Sequence, residues 1–365
     1  MKEKISGRQA TFLSMGVLLG TIFLPTGQTL AACSGRDGWM VIFPGFFASF
    51  PFVYLVLYIN NKLGGDDLFT GIKKLITPWL GIPLLIAYSL TSISFAGLLL
   101  RQGSELFIRS LMVETPLSVF LVGEILLLFL IICCGFEAFA RFVEVMVGPI
   151  YLSLVFLIVF AIPKAELGYL KPYLYNGVAP LAKGLITLFP WGFEYILFLL
   201  ILLPRLNKPH EITRGARRAY LTVCLILTGI TVVEFCVLSP EESARLFYGA
   251  MSLARMTEIG KTVRGLEPFF VVFWFGANII KISAFYFCAL FAAQAIYTPK
   301  RRSIWPILIG GGILTVSYVP KDSIEMIKMI ANVDKYMILP LAAGSIPFLA
   351  CIVWLKARWK NGKLS

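Results

Sequence analysis

Apolar runs of about 20 residues recur along the whole chain, separated by short polar stretches, and most are long enough to cross a bilayer as a helix. Ten spans are predicted, over residues 9–33, 38–60, 78–103, 115–134, 138–162, 180–203, 217–238, 266–296, 303–319 and 335–356. The third and eighth are long enough to cross at a tilt. Two connecting segments are longer than the rest. Asp66–Thr77 is mildly amphipathic and reads as an interfacial helix. Pro240–Glu267, studded with Glu and Arg, reads as one or two surface helices.

The spans divide evenly, five in residues 1–165 and five in 175–360, so the second half enters the membrane upside down within a single transmembrane domain, 1–365. In each half only the first span is interrupted at mid-depth. Span one carries Gly20-Thr21-Ile22-Phe23-Leu24-Pro25-Thr26-Gly27, and span six carries Phe189-Pro190-Trp191-Gly192. Either interruption alone reads better as a helix kink. Paired interruptions in two inverted halves point instead to a transporter-type binding site. An unwound stretch frees backbone groups: the half-helix start offers N–H groups to a carboxylate, and the freed carbonyls suit an ammonium group or cation. A small zwitterion such as an amino acid matches both.

Composition agrees with the pattern: 58% of residues are apolar, 15% are charged and the mean hydropathy is +0.82. A water-soluble fold is excluded, and with it nucleic-acid binding as the reason for the net charge of +13. Sorted by side, with the N-terminus inside, the inner segments hold 19 basic and 6 acidic residues and the outer ones 13 and 11. The positive-inside rule then makes both termini cytoplasmic. The seven cysteines suggest no disulfide framework. Leu30-Ala31-Ala32-Cys33 has the form of a lipoprotein cleavage box, but the apolar run Ala10–Ala32 outlasts the about 7–15 residues of a signal core. The segment therefore reads as span one.

Four ionisable residues remain at membrane depth: Lys281, Glu124, Glu194 and Glu234. Lys281, with Trp274, Asn278 and Phe285 on neighbouring turns, needs an interior partner. Glu194, one turn beyond the span-six break, is one; Glu124 and Glu234 are alternatives. The pair reads either as part of a ligand site or as a structural ion pair. Span three should pass the broken helices, with Tyr88, Ser92, Phe95 and Leu99 on one face. The expected ligand-binding set is Gly20, Thr21, Ile22, Pro25, Ser92, Phe95, Trp191, Gly192, Phe193, Glu194 and Lys281. Glu137, Arg141 and Glu144 share one helix face at the inner end of span five as an ion-pair ladder. Arg101 and Glu105, at the outer end of span three, read as a gate or as a snorkelling pair. The single histidine, His210, lies in a polar loop. No nucleophile–His–acid set, phosphate-cradling loop, cofactor motif or metal-ligand spacing is present, which argues against an enzyme.

Several stretches, in order, resemble the B subunits of bacterial spore germinant receptors, the GerAB-type permeases of the amino acid–polyamine–organocation superfamily. They are Ile5-Ser6-Gly7-Arg8-Gln9 with the Gly20…Leu24-Pro25 break, Asp37-Gly38-Trp39, and Arg101 and Glu105 with Thr115-Pro116. Gly135-Phe136-Glu137…Arg141…Glu144, then Gly192 and Glu194 through to Pro204, continue the series. Arg264…Glu267…Trp274…Lys281-Ile282-Ser283 is the most specific. The resemblance implies a ten-helix, LeuT-like fold in which helices 1 and 6 are broken, located in the spore inner membrane. It implies a nutrient sensor that works with a membrane A subunit and a lipoprotein C subunit. In sodium-independent transporters of that architecture a buried lysine takes the place of a cation, the role expected of Lys281. A secondary amino acid or amine transporter of the same fold is the alternative.

Overall fold

The structure is a computed structural model that describes residues 4–63, 68–259, 263–264, 267–299 and 304–361. Lys2, Asp66, Lys300, Arg301, Arg302 and Lys363, used in the charge count, lie outside the described residues.

Span one is two half-helices. α1 (Gly7–Leu19) opens with a capping box, in which the Gln9 N–H donates to Ser6 Oγ and the Ser6 N–H to Gln9 Oε1. It stops at Gly20, whose φ of +35° is open to glycine and strained for other residues. Turn-type hydrogen bonds carry the chain through 20–25 to α2 (Thr26–Ser34). After Gly35 a 3-10 helical turn, Gly35–Val41, follows, in which Gly38 packs directly on the Leu30 backbone. Span two follows as α3 (Ile42–Phe47) and α4 (Pro51–Lys62). The segment expected to lie at the interface contains α5 (Leu68–Leu75), with Leu68, Phe69 and Ile72 buried.

The remaining spans are α6 (Pro78–Leu111), α7 (Leu117–Cys134), α8 (Phe136–Ala161), α9 (Ala179–Leu202) and α10 (Ile212–Leu238). Two short helices, α11 (Pro240–Ser243) and α12 (Gly249–Met256), lie in the connection that follows α10. A two-stranded ribbon, Glu258–Ile259 with Val263–Arg264, follows them and was not foreseen. Then come α13 (Glu267–Ile296), α14 (Ile304–Ser317), α15 (Ser323–Val333) and α16 (Ser345–Asn361). Among the described residues, eight helical stretches are long and apolar enough to span a membrane; α14 is apolar but shorter. At 1.5 Å per residue α6 is about 51 Å long, well beyond a 30 Å hydrocarbon layer, so it crosses at a tilt or projects outward.

Two expectations need correction. Span six is not broken: α9 runs unbroken past Pro190. The proline removes one N–H and crowds the carbonyl of Ile186, but Ile186 faces outward, and the buried run from Phe193 to Leu203 holds the axis together. The second irregular backbone is in span ten, which also begins earlier than expected. There α15 continues into two π-helical turns, Asp334–Ile338 and Pro340–Gly344, before α16. Pro340 cannot donate, so the regular ladder cannot close across it.

Burial separates core from periphery. In α9 and α13, 72% and 78% of the membrane-spanning window is buried, against 28% in α7 and in α8, so the first two form the centre of the bundle. α6 and α13 pack antiparallel: Phe95 meets Phe285 at 4.7 Å between ring centroids, Asn278 Nδ2 donates to the Leu99 carbonyl at 3.2 Å, and Ser89 Oγ to that of Ala289 at 3.3 Å. At the end of the bundle that carries the N-terminus, Ile5 forms a parallel bridge to Leu206. Its N–H donates to Arg205 at 2.9 Å, and its carbonyl accepts from Asn207 at 3.1 Å.

Candidate functional site

The break in span one exists because something fills the space beside it. A Cβ on Gly20 would overlap the Lys281 side chain, so the lysine stem lies against the broken backbone. Lys281 comes from the middle of α13 and is fully buried. Its Nζ forms an ion pair with Glu194 Oε2 on α9 and sits 5.7 Å from the centroid of the Phe95 ring on α6, within cation–π range. Three central helices thus converge on one ammonium group beside the unwound segment.

A third charged group joins them. Asp334, in the first π turn of span ten, is buried against both Glu194 and Lys281, and its Oδ1 has no hydrogen-bond partner. Two carboxyl groups therefore share one ammonium in a water-poor interior, where an unmatched charge costs several kcal/mol. Asp334 also lines a cavity of about 670 Å³, which lies in the usual range for small-molecule sites. Its other walls include Pro25 and Thr29 of span one, Phe189, Pro190 and Trp191 of α9, and Gln102 of α6. Most of the lining is apolar, and Asp334 and Lys335 are the ionisable members.

Not all of the expected site residues meet there. Gly20, Lys281, Glu194 and Phe95 surround the ion pair, and Pro25 and Trp191 line the cavity. Thr21, Ile22 and Ser92 are buried; the Thr21 and Ile22 carbonyls accept hydrogen bonds from Leu24 and Thr26 within the broken segment. Gly192 and Phe193 are taken up by packing elsewhere. A Cβ on Gly192 would strike Ser49, between α3 and α4, and Phe193 meets Phe52 edge-on at 4.7 Å. Of the alternative partners for Lys281, Glu124 instead accepts from Ser104 Oγ at 2.8 Å, joining α7 to α6, and Glu234 lies at the far side of the break against Gly27.

The two ionic clusters occupy the ends. Arg101 Nε donates to Glu105 Oε1 at 2.5 Å, and Ser323 at the start of α15 donates to Glu105 Oε2. Arg109 Nη2 donates to Ser323 at 2.8 Å, so α6 and α15 are laced together beside a vestibule of about 280 Å³. Tyr248 lines that vestibule and accepts a hydrogen bond at 3.3 Å from Gln102, which also lines the larger cavity. At the opposite end Arg141 pairs with Glu137 at 2.6 Å, but Glu144 turns to Arg8 at 2.9 Å. The foreseen ladder is thus divided, and its second half ties α8 to the start of α1.

Asp334 escaped sequence reasoning. It stood in what looked like an outer segment, although the apolar text resumes directly after it. An acid adjoining a Pro-interrupted span was the available signal.

The sequence family described as spore germination protein, the spore permeases, matches residues 4–325. Spore germination protein KB of Bacillus subtilis (strain 168) is 24% identical over 376 residues, covering 99% of this chain and 98% of that protein. Spore germination protein XB of Bacillus anthracis is 24% identical over 304 residues, covering 81% and 82%. Similar solved structures are Mhp1, a nucleobase-cation-symport-1 family transporter in a closed conformation with bromovinylhydantoin bound (TM-score 0.67, 13% identity, 94% of this chain and 78% of that one), and a substrate-bound, outward-open Na+-coupled sialic acid symporter (0.63, 13%, 96% and 76%). A manganese transporter of Eremococcus coleocola aligns with a TM-score of 0.62 at 12% identity over 94% and 78%. These likenesses establish the fold: nearly all-helical and LeuT-like, here with a broken first span.

Proposed function

The chain belongs to the spore germination protein family, the spore permeases, and from that premise we propose that it is the nutrient-sensing B subunit of a spore germinant receptor. The nutrient binds in the cavity beside the broken first span, and binding is passed on as the signal to germinate. The observation that carries this reading is Asp334: a buried residue on the wall of a 670 Å³ cavity, with one carboxyl oxygen unpartnered and the other side of the group against the Lys281–Glu194 pair. A ligand ammonium placed there would give the second carboxylate its own counter-charge. The start of α2, beside Pro25 and Thr29, offers N–H groups to a ligand carboxylate.

The family and the fold are those of an integral membrane permease. Placement in the spore inner membrane with both termini cytoplasmic, and assembly with a membrane A subunit and a lipoprotein C subunit, belong to the proposal. So does the absence of catalysis. A second reading, secondary transport of an amino acid or amine, is favoured by the symporters of the same fold.

Asp334→Asn tests the assignment. Spores carrying it should need roughly 10- to 100-fold more nutrient for a half-maximal response, the loss expected for one charge-assisted hydrogen bond. Normal sensitivity to every nutrient would overturn it. Concentrative uptake of labelled nutrient into vesicles containing this chain alone would establish transport in place of pure sensing.

A further inference from the structure

Glu234 is used by none of this. It lies on α10, fully buried, and neither carboxylate oxygen has a hydrogen-bond partner among the described residues. Two glycines make room for it. A Cβ on Gly27, the second residue of α2, or on Gly249, the first residue of α12, would overlap the carboxyl group. Thr231, one turn earlier on α10, and Ser243 on α11 are also fully buried with unpartnered hydroxyls, and Ser243 faces the carboxyl.

We propose that Glu234, with Ser243 and Thr231, is a proton-binding site clasped between α2 and α12. A lone carboxylate in a dry interior needs either a counter-charge or a proton. Among the described residues no cation pairs with it, and Arg245, between α11 and α12, is exposed. α2 and α12 contribute glycines at the contact, and the acids of α11, Glu241 and Glu242, are exposed. On the 35–41 turn, Arg36 is engaged by Glu241 at 3.2 Å, and Asp37 accepts from the Leu174 N–H at 3.0 Å. From the segment after α8, Glu166 donates its backbone N–H to Cys236 at 2.8 Å. A metal ion fits poorly: the carboxyl is packed directly on two glycines, and among the described residues no three His, Cys, Asp or Glu side chains are grouped to hold one.

A proton fits both states of the site. For the neutral acid, the Ser243 hydroxyl that faces the carboxyl is the available partner, with Thr231 one turn away on the same helix. Once the O–H bond breaks and the proton leaves to water, the anion faces the first turns of two helices, whose N–H groups and dipoles favour negative charge. Occupancy is therefore tied to how closely α2, the outer half of the broken span, packs on α10. This site stands apart from the Lys281 cluster and does not depend on the nutrient reading.

Infrared difference spectroscopy of the full chain in lipid vesicles, between acid and alkaline buffer, tests it directly. The wild type should show the carbonyl stretch of a protonated carboxylic acid that disappears on alkalinisation. The band should be lost entirely in Glu234→Gln, shifted in Glu234→Asp and retained in Glu124→Gln. Gly27→Ala should move the pH at which it titrates. The proposal is overturned if the band survives at full intensity in a folded Glu234→Gln protein. It is equally overturned if Glu234 is a carboxylate across the whole pH range, or if its signal follows sodium concentration at fixed pH.

Discussion

Lys281 is surrounded by groups that all depend on its charge. Removing the ammonium leaves Glu194 and Asp334 facing each other in the interior, and breaking a buried pair in this way costs about 3–5 kcal/mol. Lys281→Met should therefore reduce accumulation of the protein and its melting temperature in detergent. The double variant Lys281→Met/Glu194→Gln should recover much of the loss, because it leaves one carboxyl, Asp334, in place of two facing each other without a counter-charge. If the double variant is no more stable than the single one, the pair is not the stabilising unit. These residues were legible in the sequence because a charge inside an apolar run has few alternatives to a partner in the bundle. Asp334 was not, since eleven amphipathic residues, Ser323–Val333, disguise the start of its span. Nor were Gly27 and Gly249: a glycine that makes room for a distant carboxyl looks like any other until the contact is formed.

Element by element, glycine and proline marked the irregular positions without saying which would yield. Gly20 lies where a lysine stem occupies the place of a side chain, so span one opens. Pro190 lies in a helix whose following turns are wholly buried, so span six holds. Pro340 lies between two π turns, so span ten carries the second irregularity. Local composition is alike in the three cases; the surrounding packing decides. Pro340→Ala should regularise 334–344, rotate Asp334 away from Glu194 and weaken the nutrient response, whereas Pro190→Ala should leave it near normal. Dose–response curves of spores carrying each variant check the contrast, and a larger defect from Pro190→Ala would refute it.

For the molecule as a whole, the succession of membrane-spanning helices was readable because hydrocarbon permits few spanning structures. The closure at the end that carries the N-terminus was not. Ile5, just ahead of α1, is fastened to 205–207 beyond α9, and Arg8 is fastened to Glu144 on α8. The exposed Arg8 pair is worth at most about 1 kcal/mol. The backbone bridge, whose Ile5 side chain is fully buried, is the stronger tie. Joining Ile5→Cys to Leu206→Cys by a disulfide should hold this end shut and suppress the nutrient response, and reductant should restore it. An unaltered response in the oxidised state would mean that this end stays shut during signalling.

Asp334 adds a further buried carboxyl to Glu124, Glu194 and Glu234, while among the described residues Lys281 is the one fully buried lysine. An elementary charge carried through the full drop of a 100 mV membrane potential is worth about 2.3 kcal/mol. Any rearrangement that shifts these groups along the membrane normal, or changes how many bear charge, therefore moves with or against the field. The energised state of the surrounding membrane thus becomes a thermodynamic input to the conformational equilibrium, alongside whatever occupies the cavity.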